Sequence, residues 1–157
     1  MENSKDSPGV YIPPPLFYVV IFLIALFIQK IVVINDAVFH SDVTKIVGVS
    51  LFVIALLFLF TSLRMFFNSK NTLILIKPAS SLQINGIYNI SRNPMYVGLA
   101  IVYLGVACFI GNWWHLILFP ILLLLVQEFI IDREEKYLFR RFGQEYLDYK
   151  SKVRRWI

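Results

Sequence analysis

The sequence predicts an all-α integral membrane protein with four transmembrane helices, of which the third and fourth form a hairpin, and a cytoplasmic C-terminal helical segment. Hydrophobic residues make up 58% of the 157-residue chain and charged residues only 16%, against about 25% in soluble domains. Four apolar segments approach the ~17–25 residues that span a bilayer, and the basic residues cluster outside them. This composition excludes the common soluble enzyme folds.

The four apolar segments belong to one membrane domain, residues 1–157. The predicted transmembrane helices cover residues 16–34, 46–63, 95–110 and 113–131. Residues 1–15, which precede them, are expected to form a flexible N-terminal arm that ends in three consecutive prolines. Proline fixes the backbone angle φ and removes an amide donor, so this run predicts a turn before the first helix.

The basic residues predict how the chain is oriented. Loop 64–94 contains four of them and no acidic residue, and the tail 132–157 contains eight more. The other two loops contain a single basic residue, Lys45. Because basic loops remain in the cytoplasm, we expect loop 64–94, the tail and both termini to be cytoplasmic.

Two classes of site find no support in the sequence. Cys108 is the single cysteine and lies in an apolar segment, which argues against a disulfide framework and against a cysteine-based zinc site. No metal site is predicted. The basic residues flank the spans instead of forming a separate basic domain, so nucleic-acid binding is not expected either.

The third and fourth spans are joined by Gly111-Asn112, which predicts a tight turn and therefore an antiparallel hairpin. Arg92 precedes this hairpin and Glu134 follows it. Because the two helices have similar lengths, we expect these residues to meet at the cytoplasmic face. The hairpin thus predicts a joint site built from residues that are distant in the chain.

The start of the third helix carries a specific polar pattern. Pro94 suits the first helical position and Asn93 the N-cap before it. The free amides of a helix N-terminus favour an anion, and Arg92 adds a planar donor suited to a carboxylate. The alternative is a capped helix start at which Arg92 only anchors the chain to lipid phosphate.

Carboxylates are concentrated where the fourth span leaves the membrane. Glu128, Asp132 and Glu135 share one helical face, and Glu134 lies on an adjacent face. Such a group can bind an amine or another cation. The alternative is a solvated helix end, balanced by neighbouring basic residues.

The tail 132–157 has the apolar period of an amphipathic helix, and Gly143 is expected to divide it into two short helices. These helices either lie on the membrane surface or fold over the pocket as a lid. The periodicity favours neither arrangement over the other.

Several short motifs follow one another in order around the predicted hairpin, from Lys77-Pro78 to Val153-Arg154-Arg155-Trp156. Between them lie Gly86-Ile87-Tyr88, Ser91-Arg92-Asn93-Pro94-Met95-Tyr96-Val97-Gly98, Asp132-Arg133-Glu134-Glu135-Lys136-Tyr137-Leu138 and Phe142-Gly143-Gln144-Glu145-Tyr146-Leu147-Asp148-Tyr149. Together they resemble the isoprenylcysteine carboxyl methyltransferase family of integral membrane enzymes, and the related phospholipid methyltransferases.

This resemblance implies an enzyme that uses S-adenosylmethionine, bound in a cytoplasmic pocket between the hairpin and the tail 132–157. The implied cofactor-binding residues are Tyr88, Arg92, Asn93, Pro94, Tyr96, Glu134 and Glu135. The implied catalytic residues are Arg92, Asn93 and Tyr96. The cofactor carries a carboxylate for Arg92, an amine for Glu134 or Glu135, and a sulfonium that tyrosine faces could stabilise.

The chain departs from the family pattern at two positions. Asn93 stands where the family often has histidine, and Ile87 stands where it often has proline. Asparagine does not titrate near neutral pH, so a general-base role for residue 93 is excluded.

His40 and His115 map to the opposite membrane face, where we expect them at the interface. The Arg-Asn-Pro form resembles bacterial relatives, which implies a bacterial inner membrane location.

The expected reaction transfers a methyl group to a carboxylate or thiol of a lipophilic or lipidated substrate that enters from the bilayer. A carboxylate or a thiolate needs no base, whereas a protonated amine does, so the absence of the histidine leans slightly against an amine. Two alternatives stay open. One is a phospholipid N-methyltransferase, and the other is a non-catalytic membrane subunit that binds anionic lipid or a partner.

Overall fold

The computed structural model describes residues 7–68 and 81–157, and all regular structure within them is helical. The α-helices are α1 (Pro14–Ile31), α2 (Asp42–Asn68), α3 (Pro94–Ile110), α4 (Trp113–Val126), α5 (Asp132–Phe142) and α6 (Gln144–Lys152). They are supplemented by 3₁₀ turns at Ala37–His40 and Gly86–Asn89 and by a π-helical turn at Gln127–Ile131. The predicted all-α class is confirmed for the described part of the chain.

Three helical stretches are long and apolar enough to cross a membrane. They are Pro14–Ile31, Asp42–Met65 and the continuous stretch Trp113–Phe142. Helix α3 is also apolar but has only 17 residues. The four predicted spans therefore correspond to three candidate spans and one shorter helix, and the chain is an integral membrane protein.

The first helix is displaced from its predicted limits of 16–34. It begins at Pro14 and ends at Ile31, because proline is accepted in the first helical turn, where its missing amide has no partner to lose. Within the predicted arm 1–15, Val10 is buried and packs in the same core as Tyr18. Residues 1–6 of that arm lie outside the described residues.

The second predicted span, 46–63, lies within the longer helix α2. Because α2 continues to Asn68, the first residues of the predicted loop 64–94 are helical. Residues 69–80 of that loop lie outside the described part of the chain.

The turn that closes the hairpin forms as predicted. Gly111 ends α3 in the left-handed conformation, with a φ angle of 70°. Asn112 then caps α4, since its side-chain oxygen accepts a hydrogen bond from the amide of Trp114 at 2.9 Å. Its amide nitrogen donates to the carbonyl of Ala25 at 3.2 Å, which ties this end of the hairpin to α1.

His115 does not lie at a membrane interface as expected. Its side chain is fully buried, and its ring centroid lies 4.6 Å from that of Phe22. The third residue of α4 faces α1 in this bundle, which the sequence period alone did not reveal. His40 is exposed and lies 3.5 Å from Asp36.

At the other end of the hairpin, α4 continues through the π-helical turn into α5. The resulting 30-residue stretch Trp113–Phe142 is about 45 Å long at the helical rise of 1.5 Å per residue. The hydrocarbon core of a bilayer is only about 30 Å thick. Its apolar part ends at Ile131, so Asp132 and the residues that follow lie beyond the membrane-spanning segment. We call this end, opposite the Gly111 turn, the open end of the hairpin.

Helices α2 and α3 pack closely through glycine. A Cβ atom built on Gly98 would lie 2.7 Å from Leu59 Cγ and 2.8 Å from its Cδ2. Gly105 is similarly close to Phe52, with 3.2 Å between the built Cβ and the ring. Small residues let helix backbones approach in a membrane, where apolar association with lipid competes.

Replacing Gly98 with valine is therefore expected to destabilise the protein by about 1–3 kcal/mol, the usual effect of overpacking a filled interface. Thermal unfolding of the detergent-purified protein measures this loss. The matched control is Val20→Ile, which adds carbon at an exposed position of α1 and should unfold like the wild type. An unchanged unfolding temperature for Gly98→Val would contradict the close packing of α2 on α3.

Candidate functional site

The charged residues at the open end of the hairpin meet around one carboxylate, that of Glu135. Arg92 Nη2 donates to Glu135 Oε1 at 2.9 Å, and Arg155 donates to both oxygens, from Nε at 3.0 Å and from Nη2 at 2.9 Å. Lys150 Nζ lies 3.4 Å from Oε2. The side chains of Arg92 and Glu135 are each only 8% exposed. We call Arg92, Glu135, Lys150 and Arg155 the clasp.

Backbone hydrogen bonds fasten the C-terminal residues to the segment before α3. The Arg92 amide donates to the Arg154 carbonyl at 3.0 Å. The carbonyl of Arg155 accepts from Ser91 Oγ at 3.2 Å and from Asn93 Nδ2 at 3.0 Å. These bonds hold residues far apart in the chain in one arrangement.

Asn93 occupies the predicted N-cap position of α3, but its side chain does not cap the helix. A cap requires the side-chain oxygen to accept a bond from a first-turn amide, whereas the Asn93 amide group turns to donate to Arg155. Pro94 begins α3 as predicted and is buried. The side chain of Asn93 therefore secures the C-terminal segment.

Glu134, next to Glu135 in sequence, has a different environment. The Tyr96 hydroxyl donates to Glu134 Oε1 at 2.7 Å. The backbone of Tyr96 is held in turn by the Tyr18 hydroxyl, which donates to the Tyr96 carbonyl at 3.1 Å. Among the described residues, Glu134 makes no ion pair.

The two adjacent carboxyl groups consequently have opposite pKa shifts. The pKa of Glu134 is raised to about 7, chiefly because the group is removed from water; the Tyr96 hydrogen bond acts to lower it, and the charge of Glu135 acts to raise it. Burial acts to raise the pKa of Glu135 as well, but the Arg155 hydrogen bonds and the charges of Arg92, Arg155 and Lys150 bring it below its ordinary value. Glu135 is thus ionised near neutrality, and Glu134 titrates there.

Tyrosines pack beside the clasp, with Tyr88, Tyr146 and Tyr149 in one buried cluster. Tyr149 donates to the Tyr88 carbonyl at 2.7 Å. The hydroxyls of Tyr88 and Tyr146 and the Nε of Arg92 are buried without a hydrogen-bond partner among the described residues. Buried donors are normally paired, so these three groups could bind a polar ligand.

A groove of about 380 Å³ opens beside the clasp, within the roughly 300–1,000 Å³ range of small-molecule sites. Its lining combines acidic, basic and aromatic side chains: Asp132, Glu135, Lys136, Phe139, Tyr146, Leu147, Lys150 and Arg155. Glu135 is the one predicted site residue in that lining. In the described part of the chain, no cluster of histidine, cysteine or acidic residues is arranged to hold a metal ion.

The predicted site residues do meet at the open end, but in a different pairing. The hairpin was expected to bring Arg92 to Glu134, whereas Arg92 contacts Glu135 and Glu134 contacts Tyr96. Glu128, the member of the predicted acidic face that lies inside the apolar segment, is exposed. The roles of these residues in binding and catalysis remain predictions.

Sequence reasoning missed the two basic residues that complete the clasp, Lys150 and Arg155. In the sequence they belong to a tail rich in basic residues, and their spacing does not distinguish them from their neighbours. Arg155 also contacts Asp132, with 2.8 Å between Nη2 and Oδ1. Only the folding of the tail back onto α5 and the segment before α3 identifies them.

Comparison with protein families gives a match to the family described as phospholipid methyltransferase, over residues 43–145, about two thirds of the chain. An uncharacterized protein of Haemophilus influenzae is 42% identical over 66 residues, which cover 40% of this chain and 100% of that protein.

Two yeast enzymes named protein-S-isoprenylcysteine O-methyltransferase are also similar. The Schizosaccharomyces pombe enzyme is 39% identical over 44% of this chain and 29% of its own length. The Saccharomyces cerevisiae enzyme is 37% identical over 43% of this chain and 28% of its own length. The similar region thus spans less than a third of either yeast enzyme. No solved structure matches the chain.

Proposed function

Since the chain belongs to the phospholipid methyltransferase family, we propose that it is an S-adenosylmethionine-dependent methyltransferase that acts on a carboxylate or thiol of a lipophilic acceptor. The observation that carries this proposal is the direct contact between Arg92 and Glu135, 2.9 Å apart across the hairpin. An α-amino acid group has a carboxylate and an ammonium on one carbon. A guanidinium beside a carboxylate complements such a group.

The buried groups at the open end fit the cofactor. Arg92 has an unpartnered Nε for the carboxylate, and the amides at the start of α3 favour the same negative charge. Glu135 Oε2 already accepts an ammonium group, that of Lys150, so it could equally accept that of the cofactor. The Tyr88 hydroxyl is likewise buried and unpartnered among the described residues. When bound, the cofactor supplies an activated methyl group.

The chain's own residues would then bind and orient the cofactor and the acceptor, and would exclude water from the site. The clasp and the Arg155 carbonyl fasten residues 150–155 over the segment before α3. A site closed in this way holds donor and acceptor in the reactive geometry. Such positioning supplies roughly 7–11 kcal/mol of a reaction barrier in favourable cases.

The membrane arrangement forms part of the proposal. Helix α3 has 17 residues, about 25 Å at the helical rise, and we propose that it crosses the bilayer as the third of four spans. The distribution of basic residues supports the further proposal that the open end and both termini lie in the cytoplasm, with the protein in a bacterial inner membrane. Exposed apolar side chains on α2, such as Leu56, Leu57 and Phe60, face lipid, the medium from which the acceptor enters.

The first test is cofactor binding by the detergent-purified protein. Calorimetry should show binding of S-adenosylmethionine at a single site. The non-catalytic alternative, a subunit that only binds anionic lipid or a partner, predicts no binding. Absence of heat at millimolar cofactor, with a correctly folded sample by circular dichroism, would refute the enzyme proposal.

A second candidate function is phospholipid N-methylation, which the name of the matched family favours. Incubation with radiolabelled cofactor and separate samples of a prenylcysteine, small thiols and phospholipids distinguishes the two. Label in the prenylcysteine or thiols supports the first proposal. Label in a phospholipid amine supports the second.

A further inference from the structure

Within residues 7–68 and 81–157, the carboxyl group of Glu134 has one hydrogen-bond partner, the Tyr96 hydroxyl on Oε1, and its Oε2 has none. We infer that Glu134, together with Tyr96, accepts a proton from the methyl acceptor. The acceptor therefore carries a proton on its nucleophilic atom, as a thiol or an ammonium does and a carboxylate does not. This inference rests on the proposed function and narrows its acceptor class: it keeps the thiol, removes the carboxylate, and admits the amine of the second candidate function.

The contrast between the two neighbouring carboxyls separates binding from proton transfer. Glu135 pairs with Arg92, Arg155 and Lys150, so protonating it would leave the buried Arg92 guanidinium without its carboxylate partner. Glu134 makes no ion pair among the described residues. It can therefore gain or lose a proton without breaking a salt bridge. A proton acceptor must gain and lose a proton in each catalytic cycle, so this environment suits that role.

The surroundings of Glu134 hold its pKa in the useful range. Four titratable groups interact electrostatically with Glu134: Tyr96 on α3, Tyr88 in the 3₁₀ turn, Glu135 on its own helix and Tyr146 on α6. Removal from water raises the pKa of Glu134 to about 7. A base with a pKa near the working pH combines a large ionised fraction with a useful driving force for proton transfer.

The Tyr96 hydroxyl fixes where the proton arrives. It occupies Glu134 Oε1, which leaves Oε2 to accept the proton directly, or Tyr96 to relay it. Tyr96 itself is anchored through its carbonyl by Tyr18 on α1. Tyr96 is therefore held by its own helix, α3, and by α1, and it contacts Glu134 on α5 at the open end of the hairpin.

The proposed step conserves atoms and charge. The lone pair of the acceptor sulfur or nitrogen forms a bond to the methyl carbon, and the bond from that carbon to the sulfonium sulfur breaks with its electron pair left on sulfur. The acceptor's proton moves to the ionised carboxylate of Glu134. An ammonium gives up this proton before the attack, because its nitrogen has no lone pair until then, whereas a thiol can give it up before or during the attack. Release of this proton to water restores the carboxylate for the next cycle.

Three 12-carbon probes, dodecanethiol, dodecylamine and dodecanoate, test the acceptor class because they differ only in the reacting group. With the cofactor saturating, we expect the wild type to methylate the thiol or the amine faster than the carboxylate. Glu134→Gln should reduce that rate at least about 100-fold, the lower end for loss of a general base. Calorimetry should show that this variant still binds S-adenosylmethionine.

The pH dependence adds a readout that a purely structural role would not change. The wild-type rate should rise as the pH passes through about 7, where Glu134 ionises, and the rise should vanish in Glu134→Gln. Tyr96→Phe removes a hydrogen bond that favours the ionised carboxyl, so it should move the midpoint to higher pH. Glu145→Gln, at an exposed position of α6, should keep the wild-type profile.

Infrared spectroscopy of the protein alone supplies a readout independent of activity. A carboxylic-acid band should disappear as the pH rises through about 7 and be absent from Glu134→Gln. Wild-type rates in Glu134→Gln, or methylation of dodecanoate alone, would overturn the inference while cofactor binding left the proposed function intact. Failure of the wild type to bind the cofactor would overturn both.

Discussion

Replacing Glu135 with glutamine is expected to open the clasp and destabilise the protein by about 3–5 kcal/mol, the usual loss when one member of a buried ion pair is removed. Arg92, with a side chain 8% exposed, would keep its charge without the carboxylate that neutralises it. Arg155 donates to both carboxylate oxygens and would lose one of these hydrogen bonds, because the amide nitrogen of glutamine cannot accept, while the other bond would lose its charge assistance. Thermal unfolding in detergent measures the loss of stability.

The same variant should also become sensitive to protease at the C-terminus. Trypsin cleaves after Lys150, Arg154 and Arg155, and the clasp and its backbone bonds protect these positions by holding the segment down. Glu145→Gln is the matched control, because Glu145 is exposed on α6. Wild-type unfolding and protease resistance in Glu135→Gln would show that the clasp does not secure this segment.

Replacing Arg92 with lysine is expected to preserve the fold but weaken cofactor binding by roughly 10- to 150-fold in Kd. A lysine ammonium can replace the contact to Glu135, but it lacks the second planar donor. The lost donor is Nε, which is buried and unpartnered in the structure. A hydrogen bond to a charged group contributes about 1.5–3 kcal/mol, which gives the expected range. Calorimetry with S-adenosylmethionine measures the change.

Comparison of Arg92→Lys with Arg92→Ala separates this binding role from the structural one, because alanine removes both. It removes the ion pair as well, so the unfolding temperature should fall together with the affinity. Arg154→Lys, at an exposed neighbouring site, is the control and should bind like the wild type. Equal affinity of Arg92→Lys and the wild type would exclude Arg92 from the cofactor site, even if the enzyme proposal holds.

Local sequence features predicted the framework of the site well. Pro94 begins α3, Gly111 and Asn112 form the turn, and Gly143 separates α5 from α6 with a φ angle of 54°. Each of these positions depends on the conformational limits of one residue or on a bond to a near neighbour. Such effects act within a few residues of the chain, so they can be read from the sequence without the fold.

The composition and the order of apolar segments by themselves determined that the chain is a helical membrane protein with a hairpin near its C-terminus. Only the tertiary structure decided that Arg92 contacts Glu135, that Tyr96 contacts Glu134, and that Arg155 completes the clasp. Successive helical residues point about 100° apart, and the π-helical turn at Gln127–Ile131 shifts the phase of the helix just before the two carboxylates. Which carboxylate faces which partner therefore depends on a rotation that hydrophobic periodicity does not define.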